Sequence, residues 1–264
     1  MNHFFKHFFI FITSHVLLGC NEIYDTKNYI NSFFHEEVVF IYTSSSYPDE
    51  IYDQVVTINN QSLKYFNRSL SNIVFMGMGE PLMNYNNLIK SIDLICSKKG
   101  LGISQKRIVV STSGIPKMIK KLSDESLKVN LAVSLHSAIE SVRNKIMPFT
   151  KDFPLIELKE SLIYWYKKTN RRITYEYIVL KGINDSRSDI NALIDFCKIV
   201  PSKVNLIQYN SIGDDDFKAA DTKTIKLYED ELEKKKIIVT IRRSRGQDID
   251  AACGQLANKE VSLN

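Results

Sequence analysis

Cys253 is the residue whose type and neighbours most directly permit chemistry. It lies among small residues in the run 246–256 and closely follows a basic stretch that contains Arg242, Arg243 and Arg245. A thiol reacts as its thiolate, and nearby cations lower its pKa while also attracting polyanions such as RNA. Cys253 is therefore a candidate nucleophile, and an inert packing cysteine is the simpler alternative.

Polar residues also follow apolar runs that have the pattern of buried strands. The predicted strands are 72–76, 107–110, 129–133, 173–180, 204–207 and 237–241. The polar residues at or just beyond their ends are Glu80, Ser111, Ser134, His136 and Asn210. Because the carboxyl ends of parallel strands form one rim, we expect these side chains to converge there. Taken singly, each has a simpler role as a helix-terminal carboxylate, a cap, a core histidine or a turn residue.

Helical patterns separate these strands and define the fold class. The predicted helices are 84–96, 116–122, 155–168, 189–200 and 222–235. Nearly continuous apolar strands alternating with helices indicate parallel strands buried on both faces. The sequence thus predicts an α/β fold, a partial (βα)6-type TIM-like barrel, with Cys96 packing on a helix face.

The amino-acid composition limits the classes of protein to which the chain can belong. The chain has 264 residues, of which 44% are hydrophobic and 25% charged, which is typical of one soluble domain. The formal charge of +5 permits a nucleic-acid partner without requiring one. The four cysteines, which include Cys20 and Cys197, are widely spaced, and this favours a reducing compartment over a disulfide framework. We expect a cytoplasmic monomer without a membrane partner.

Residues 1–48 differ from the rest of the chain. The apolar stretch 8–18 and the following Cys20 resemble a lipoprotein signal, although polar residues interrupt the stretch. We therefore divide the chain into an atypical segment, 1–48, and a domain, 49–264.

Four ordered motifs carry a family resemblance. The runs 72–82, 110–114, 134–136 and 248–256 resemble the radical S-adenosylmethionine methyltransferases that modify carbon 2 of adenine in 23S rRNA and some tRNAs. The likeness extends over about residues 49–259. It implies that Gly79 and Glu80 receive the ammonium group of S-adenosylmethionine and that Cys253 carries the methyl group as S-methylcysteine. The other implied cofactor contacts are Ser111, Ser134, Leu135, His136 and Asn210.

The chain departs from this family at its iron–sulfur ligands. The family holds a [4Fe-4S] cluster on a Cys-x3-Cys-x2-Cys loop and needs an external electron donor, but no such cysteine triplet occurs in the 264 residues. We therefore expect the first strand and the cluster loop of the radical S-adenosylmethionine barrel to be missing or replaced, and the chain to be inactive. An unpaired sheet edge would also make it poorly soluble unless residues 38–42 replace the missing strand.

Three explanations of this departure remain open. The first 45 or so residues are a frame-disrupted start, the chain is a degenerate paralogue that binds S-adenosylmethionine or RNA without chemistry, or it is an exported protein with an unrelated role. A barrel enzyme that binds a phosphate-bearing metabolite is a fourth possibility.

Two basic clusters are candidates for binding RNA phosphates near the barrel mouth. The first contains Arg242, Arg243 and Arg245, next to Cys253. The second is formed by Lys98, Lys99, Lys106 and Arg107, for which a solvated surface is an equally good interpretation.

Overall fold

A seven-stranded sheet forms the centre of the protein, and all its strands are parallel. The computed structural model describes residues 38–40 as backbone and residues 46–76, 79–209 and 217–242 in full. The strands are β1 Val38–Phe40, β2 Asn72–Phe75, β3 Ile108–Thr112, β4 Asn130–Ser134, β5 Ile173–Val179, β6 Ser202–Gln208 and β7 Ile238–Arg242. They follow one another across the sheet in chain order, as in a partial (βα) barrel. All six predicted strands are confirmed as β2 to β7.

Helices connect the strands. They are α1 Pro48–Phe66, α2 Tyr85–Cys96, α3 Pro116–Asp124, α4 Glu140–Ile146, α5 Leu155–Thr169, α6 Arg187–Cys197 and α7 Thr222–Lys234. Five match the predicted helices to within a few residues, whereas α1 and α4 were not predicted. Within the described ranges, no helix combines the length and apolar character needed to cross a membrane.

The edge of the sheet beside β2 is occupied by β1. Val38 pairs with Asn72 and Phe40 pairs with Val74 in parallel register. The expectation that residues 38–42 replace a missing strand is thus confirmed for residues 38–40, and residues 41 and 42 lie outside the described part. Pairing of the β2 edge removes the reason given above for poor solubility.

The central strands β3 to β5 are largely buried on both faces, as predicted, but the two faces differ in polarity. One face packs on the helices: the ring centroids of Tyr175 and Phe196 lie 5.3 Å apart, and those of Tyr177 and Tyr228 lie 5.7 Å apart. The other face carries the alternate residues of each strand, which include Ser111, Ser134, Thr174, Glu176, Lys203, Asn205, Thr240 and Arg242. The helices of the described part cover only one face, so polar residues are tolerated on the other, which we call the polar face.

Candidate active site at the carboxyl end of the sheet

Glu80 is a buried carboxylate beyond the end of β2. Gly79 precedes it at φ +94°, a backbone conformation that glycine adopts easily. Glu80 accepts hydrogen bonds from the backbone N–H of Leu82 at 3.1 Å and of Ser113 at 2.7 Å, and a further one from the Ser113 hydroxyl. Burial raises the pKa of Glu80, and the bonds from Ser113 oppose that rise. Among the described residues, no Lys, Arg or His forms an ion pair with Glu80.

Arg143 of α4 joins the ends of β3 and β4. Its side chain is fully buried, and its Nη2 donates to the carbonyl of Ser113 at 2.7 Å while its Nε donates to that of Leu135 at 3.2 Å. Its Nη1 is buried without a hydrogen-bond partner. Desolvation lowers the pKa of Arg143 to about 10, so the guanidinium stays charged at neutral pH. Through Ser113, Arg143 fixes the group that holds Glu80.

His136 joins the end of β4 to β5. Its Nδ1 accepts the backbone N–H of Ile178 at 3.2 Å, and its carbonyl accepts Nδ2 of Asn184 at 2.6 Å. The residue has φ +55°, and the bond from Asn184 helps to hold this uncommon conformation. Desolvation, reinforced by the charge of Arg143, lowers the pKa of His136 to about 4. The ring is therefore neutral at pH 7, and its Nε2 carries the proton because Nδ1 accepts a bond.

These contacts form one hydrogen-bonded chain from the end of β2 to β5. It runs from Glu80 through Ser113 and Arg143 to Leu135, whose backbone N–H donates to the carbonyl of Glu176 at 3.0 Å. Ser111 lies within β3 and Ser134 ends β4, both on the polar face. Glu80, Ser111, Ser134 and His136 thus lie at or near the carboxyl ends of β2, β3 and β4, and their convergence on one ligand stays a prediction.

Other predicted site residues are only partly covered by the structure. Arg242 ends β7 on the polar face, and its positive charge opposes the rise in the pKa of Glu176. Asn210, Arg243, Arg245 and Cys253 lie outside the described residues.

The second basic cluster does not lie at the rim. Lys98, Lys99, Lys106 and Arg107 belong to the connection between α2 and β3. In an all-parallel sheet such a connection enters at the amino end of the next strand, opposite the rim. The prediction that this cluster binds phosphates near the barrel mouth is therefore wrong.

The described cysteines do not fit an iron–sulfur cluster. Cys96 and Cys197 lie on separate helices and pack against the core, as predicted for Cys96. Burial raises their pKa values to about 11 and about 12, which opposes the thiolate form that iron requires. In the described part of the chain, no group of three or more His, Cys, Asp and Glu residues is arranged to hold a metal ion.

Comparisons with known proteins agree with this fold. The chain is 64% identical over 214 residues to the probable dual-specificity RNA methyltransferase RlmN of Flavobacterium psychrophilum, and 65% identical over 214 residues to that of Christiangramia forsetii. A crystal structure of a radical SAM methyltransferase from Sphaerobacter thermophilus superposes with a TM-score of 0.77 at 35% identity, covering 80% of this chain and 61% of that one. The chain belongs to the radical S-adenosylmethionine RNA methyltransferase family that includes RlmN.

The match to this family does not extend over whole relatives. It covers 81% of this chain but 62% and 61% of the two RlmN proteins, so the chain spans about three fifths of the length of these relatives. No protein-family model matches the sequence. The family implies S-adenosylmethionine and a [4Fe-4S] cluster as cofactors. The polar face with its buried Glu80 fits the first, whereas the described cysteines do not fit the second.

Three buried polar residues at or near this rim were not predicted from the sequence: Arg143, Asn184 and Glu176. Glu176 left a readable signal, because a charged residue stood inside a run predicted to be a buried strand. Burial raises the pKa of its carboxyl, and a hydrogen bond from Asn205 opposes that rise.

Gly114 tests how tightly the rim is packed. It has φ +99°, and a Cβ there would lie 3.1 Å from Nη2 of Arg143 and 3.2 Å from Cδ1 of Leu158. We expect Gly114→Ala to lower the free energy of unfolding by about 2 kcal/mol or more, from backbone strain and crowding together. Urea denaturation measures this loss.

Gly102 supplies the matched control for that substitution. It has φ +65° and no atom within 4 Å of an added Cβ, so Gly102→Ala should cost only the backbone term of about 1 kcal/mol. Equal losses in the two variants would show that the rim yields to an added methyl group.

Proposed function

We propose that this protein binds S-adenosylmethionine at the rim and belongs to a cytoplasmic RNA-methylating system whose target is carbon 2 of adenine in 23S rRNA and some tRNAs. The observation that supports the proposal is the hydrogen-bonded chain that links Glu80, through Ser113 and Arg143, to Leu135, which stands between Ser134 and His136. The names of the RlmN relatives support the RNA substrate.

In this proposal, each rim residue has a defined contact with S-adenosylmethionine. Glu80 pairs with the ammonium group, and Gly79 lets the backbone approach it. Further contacts come from Ser111, Ser134, Leu135, His136 and Asn210. The burial of the Glu80 carboxylate supports its role, because hydrogen bonds from Leu82 and Ser113 hold it in place and a buried carboxylate gains from a cation that arrives with the ligand.

Cys253 is the proposed methyl acceptor. Its thiolate attacks the methyl carbon of S-adenosylmethionine, so that a carbon–sulfur bond forms as the carbon–sulfonium bond breaks. The bonding electron pair leaves with S-adenosylhomocysteine, and the thiol proton passes to solvent. Arg242, Arg243 and Arg245 bind RNA phosphates beside Cys253.

We further propose that the 264 residues alone do not complete transfer to adenine. Carbon 2 of adenine is electrophilic, so a methyl cation does not add to it, and the family uses a radical generated at its cluster. The sequence contains no Cys-x3-Cys-x2-Cys motif to hold that cluster. These residues thus act as a part that binds S-adenosylmethionine and RNA. Appearance of 2-methyladenine when they are incubated with RNA, a reductant and S-adenosylmethionine would contradict this.

Glu80→Gln tests the proposed site. The amide keeps the oxygen that accepts from Leu82 but removes the charge that pairs with the ammonium group. We expect the affinity for S-adenosylmethionine to fall by about 10- to 100-fold, which corresponds to one hydrogen bond between charged groups. Isothermal titration calorimetry measures the change.

Two controls make this result specific. 5′-Methylthioadenosine lacks the amino-acid part, so its affinity should be the same in wild type and Glu80→Gln. Glu231→Gln removes the same charge from α7, where Glu231 pairs with Lys234 and Arg187, and it should leave binding unchanged. An undiminished affinity of Glu80→Gln for S-adenosylmethionine would reject Glu80 as the ammonium partner.

A further inference from the structure

Four exposed basic residues lie together at the amino end of the sheet, opposite the rim. Lys106 and Arg107 precede β3, Lys128 precedes β4, and Arg172 immediately precedes β5. The parallel register of β3 to β5 places these three strand starts side by side, and neighbouring strands are about 4.8 Å apart. Cations from three separate parts of the chain thus form one surface, which we call the amino-end patch.

Hydrogen bonds fix the connections that carry the amino-end patch. The backbone N–H of Lys128 donates to Oε1 of Gln105 at 2.8 Å, and Nδ2 of Asn130 donates to the carbonyl of Lys106 at 2.8 Å. Oδ1 of Asn130 also accepts Nη1 of Arg171 at 3.1 Å. Asn130 therefore ties the starts of β3 and β5 to β4. The backbone of the patch is held in place before any ligand binds, which reduces the ordering cost of binding.

Acidic side chains do not neutralise the amino-end patch within the described residues. None of its four cations forms an ion pair there. The two acids at the end of α3 are engaged elsewhere: Asp124 pairs with Lys168 at 3.0 Å, and Glu125 accepts the hydroxyl of Tyr85 at 2.9 Å. Charges of both signs are usually interspersed on a protein surface. A cluster of unpaired cations instead creates a positive potential that attracts anions.

Helix dipoles do not account for the amino-end patch. Lys and Arg side chains in the last turn of a helix stabilise that helix by interacting with its terminal carbonyls. Lys106 and Arg107 lie in a separate 3-10 turn, Gln105–Arg107, and Lys128 and Arg172 lie outside helices. Their charges therefore do not support the preceding helices, and their removal should leave the fold intact.

The composition of the amino-end patch favours a nucleic acid over a protein or a membrane. None of the large apolar side chains exposed in the described part of the chain lies in the three connections that form the patch. Protein interfaces usually have aromatic or aliphatic side chains at their centre, and stable membrane binding usually adds apolar side chains that insert. The phosphate backbone of a nucleic acid is bound by Lys and Arg alone.

We propose that the amino-end patch is a second RNA-binding surface, which binds phosphates of a folded RNA at a distance from the target adenine. Arg107 lies about 20 Å from Ser113 at the rim, because a strand rises about 3.3 Å per residue. An RNA that contacts both ends must therefore extend well beyond the nucleotides around the adenine. This inference rests on the proposed RNA substrate. Phosphate contacts at the patch add affinity and orientation without reading sequence.

Simultaneous replacement of all four patch residues with Gln tests this surface. The hydrogen bonds described above use backbone atoms of Lys106 and Lys128, so the variant keeps them. We expect the affinity for an unmodified tRNA transcript at about 0.1 M salt to fall at least about tenfold. The slope of log affinity against log salt concentration should fall by about 3, because each lost phosphate contact contributes about 0.7–0.9. Fluorescence anisotropy measures both changes. The affinity for S-adenosylmethionine should stay unchanged, and the melting temperature should not fall.

Exposed lysines of α2, α6 and α7 supply the matched control. Their replacement with Gln removes the same formal charge at Lys90, Lys198, Lys226 and Lys234. Three of these lysines pair with acids, so their loss changes the surface potential less. The control variant should bind tRNA with nearly the wild-type affinity. An equal loss in both variants would reduce the patch to an effect of net charge and overturn the proposal.

Hydroxyl-radical footprinting of the tRNA locates the contact. In the patch variant, protection of nucleotides remote from the target adenine should disappear while protection around the adenine remains. Loss of protection around the adenine itself, or an unchanged footprint, would overturn the proposal.

The other outcomes are distinguishable. If the patch variant keeps wild-type tRNA affinity but loses binding to vesicles that contain phosphatidylserine, the patch binds a membrane surface and the RNA assignment is wrong. If wild type binds tRNA and the patch variant binds it with the same affinity and salt dependence, the patch fails while the proposed function stands. If wild type binds no tRNA even at about 0.05 M salt, where phosphate contacts are strongest, the proposed RNA substrate itself fails.

Discussion

Replacement of Arg143 with Met is expected to destabilise the protein by about 3 kcal/mol or more. The guanidinium donates to the carbonyls of Ser113 and Leu135, and Met removes both bonds in a buried region, where the Leu135 carbonyl keeps the bond from the backbone N–H of Ser137. Met fills a similar volume, so the loss reports hydrogen bonding more than packing. Loss of the bond to Ser113 also loosens the group that holds Glu80. Urea denaturation followed by circular dichroism measures the change.

Arg171 provides the matched control for this prediction. Its guanidinium donates to Oδ1 of Asn130 at 3.1 Å, near the amino end of the sheet and partly exposed. Arg171→Met should therefore cost less than about 1 kcal/mol. The loss of stability in Arg143→Lys should lie between the losses in Arg143→Met and Arg171→Met, because an ammonium group keeps the charge but cannot reproduce the forked geometry of the guanidinium. If the urea concentration at the midpoint of unfolding were the same for Arg143→Met and wild type, the rim would not depend on this side chain.

The strands were predictable from the sequence because each is a short, mainly apolar run between polar connections. Helix α1 was not predictable in the same way, because two positions of its buried face hold Asn59 and Ser62. Asn59 accepts the backbone N–H of Leu70 at 3.0 Å, and Ser62 donates to the carbonyl of Arg68 at 2.6 Å. Tertiary hydrogen bonds thus replace the apolar contacts that a hydrophobic pattern detects.

The polar residues on one of the two faces of the sheet did not follow from the sequence pattern, although the burial of the central strands did. In β4 the small apolar Ala132 lies on the polar face, and in β5 the polar residues Thr174 and Glu176 stand among apolar ones. The polar character of that face becomes visible only when the register aligns Ser134, Glu176 and Asn205 in one row. The pattern of a single strand does not reveal this row of polar residues, because it is formed by β4, β5 and β6 together.

The rim residues were predictable only where they end a strand. Glu80, Ser134 and His136 follow apolar runs, and this position identified them. Arg143 and Asn184 lie in the segments that connect the strands, where charged and amide side chains are usually exposed to solvent. Both are fully buried because they supply hydrogen bonds to carbonyls that the ends of the parallel strands leave unpaired. Whether a carbonyl at a strand end lacks a donor depends on how the sheet is assembled. The residues that donate to these carbonyls therefore cannot be inferred from the local sequence pattern.

Asn184→Leu is expected to cost about 3 kcal/mol or more, an effect as large as that of Arg143→Met. The amide of Asn184 accepts the backbone N–H of Leu180 at 2.7 Å and donates to the carbonyls of His136 at 2.6 Å and Ile178 at 2.8 Å. Leu fills a similar volume but leaves these three backbone groups unsatisfied. Urea denaturation measures the loss, and Asn86→Leu, at an exposed position of α2, should change stability by less than about 0.5 kcal/mol.

A double variant shows whether Asn184 and Arg143 support the same segment. Arg143 binds the carbonyl of Leu135 and Asn184 binds that of His136, so the two side chains hold consecutive peptide groups at the end of β4. Once one of these two side chains is lost, the segment can shift, and loss of the second side chain then lowers the free energy of unfolding by less. We expect the two losses to be non-additive by about 0.5–3 kcal/mol. Strict additivity would mean that each side chain supports its own strand end, and that His136 keeps its position without Arg143.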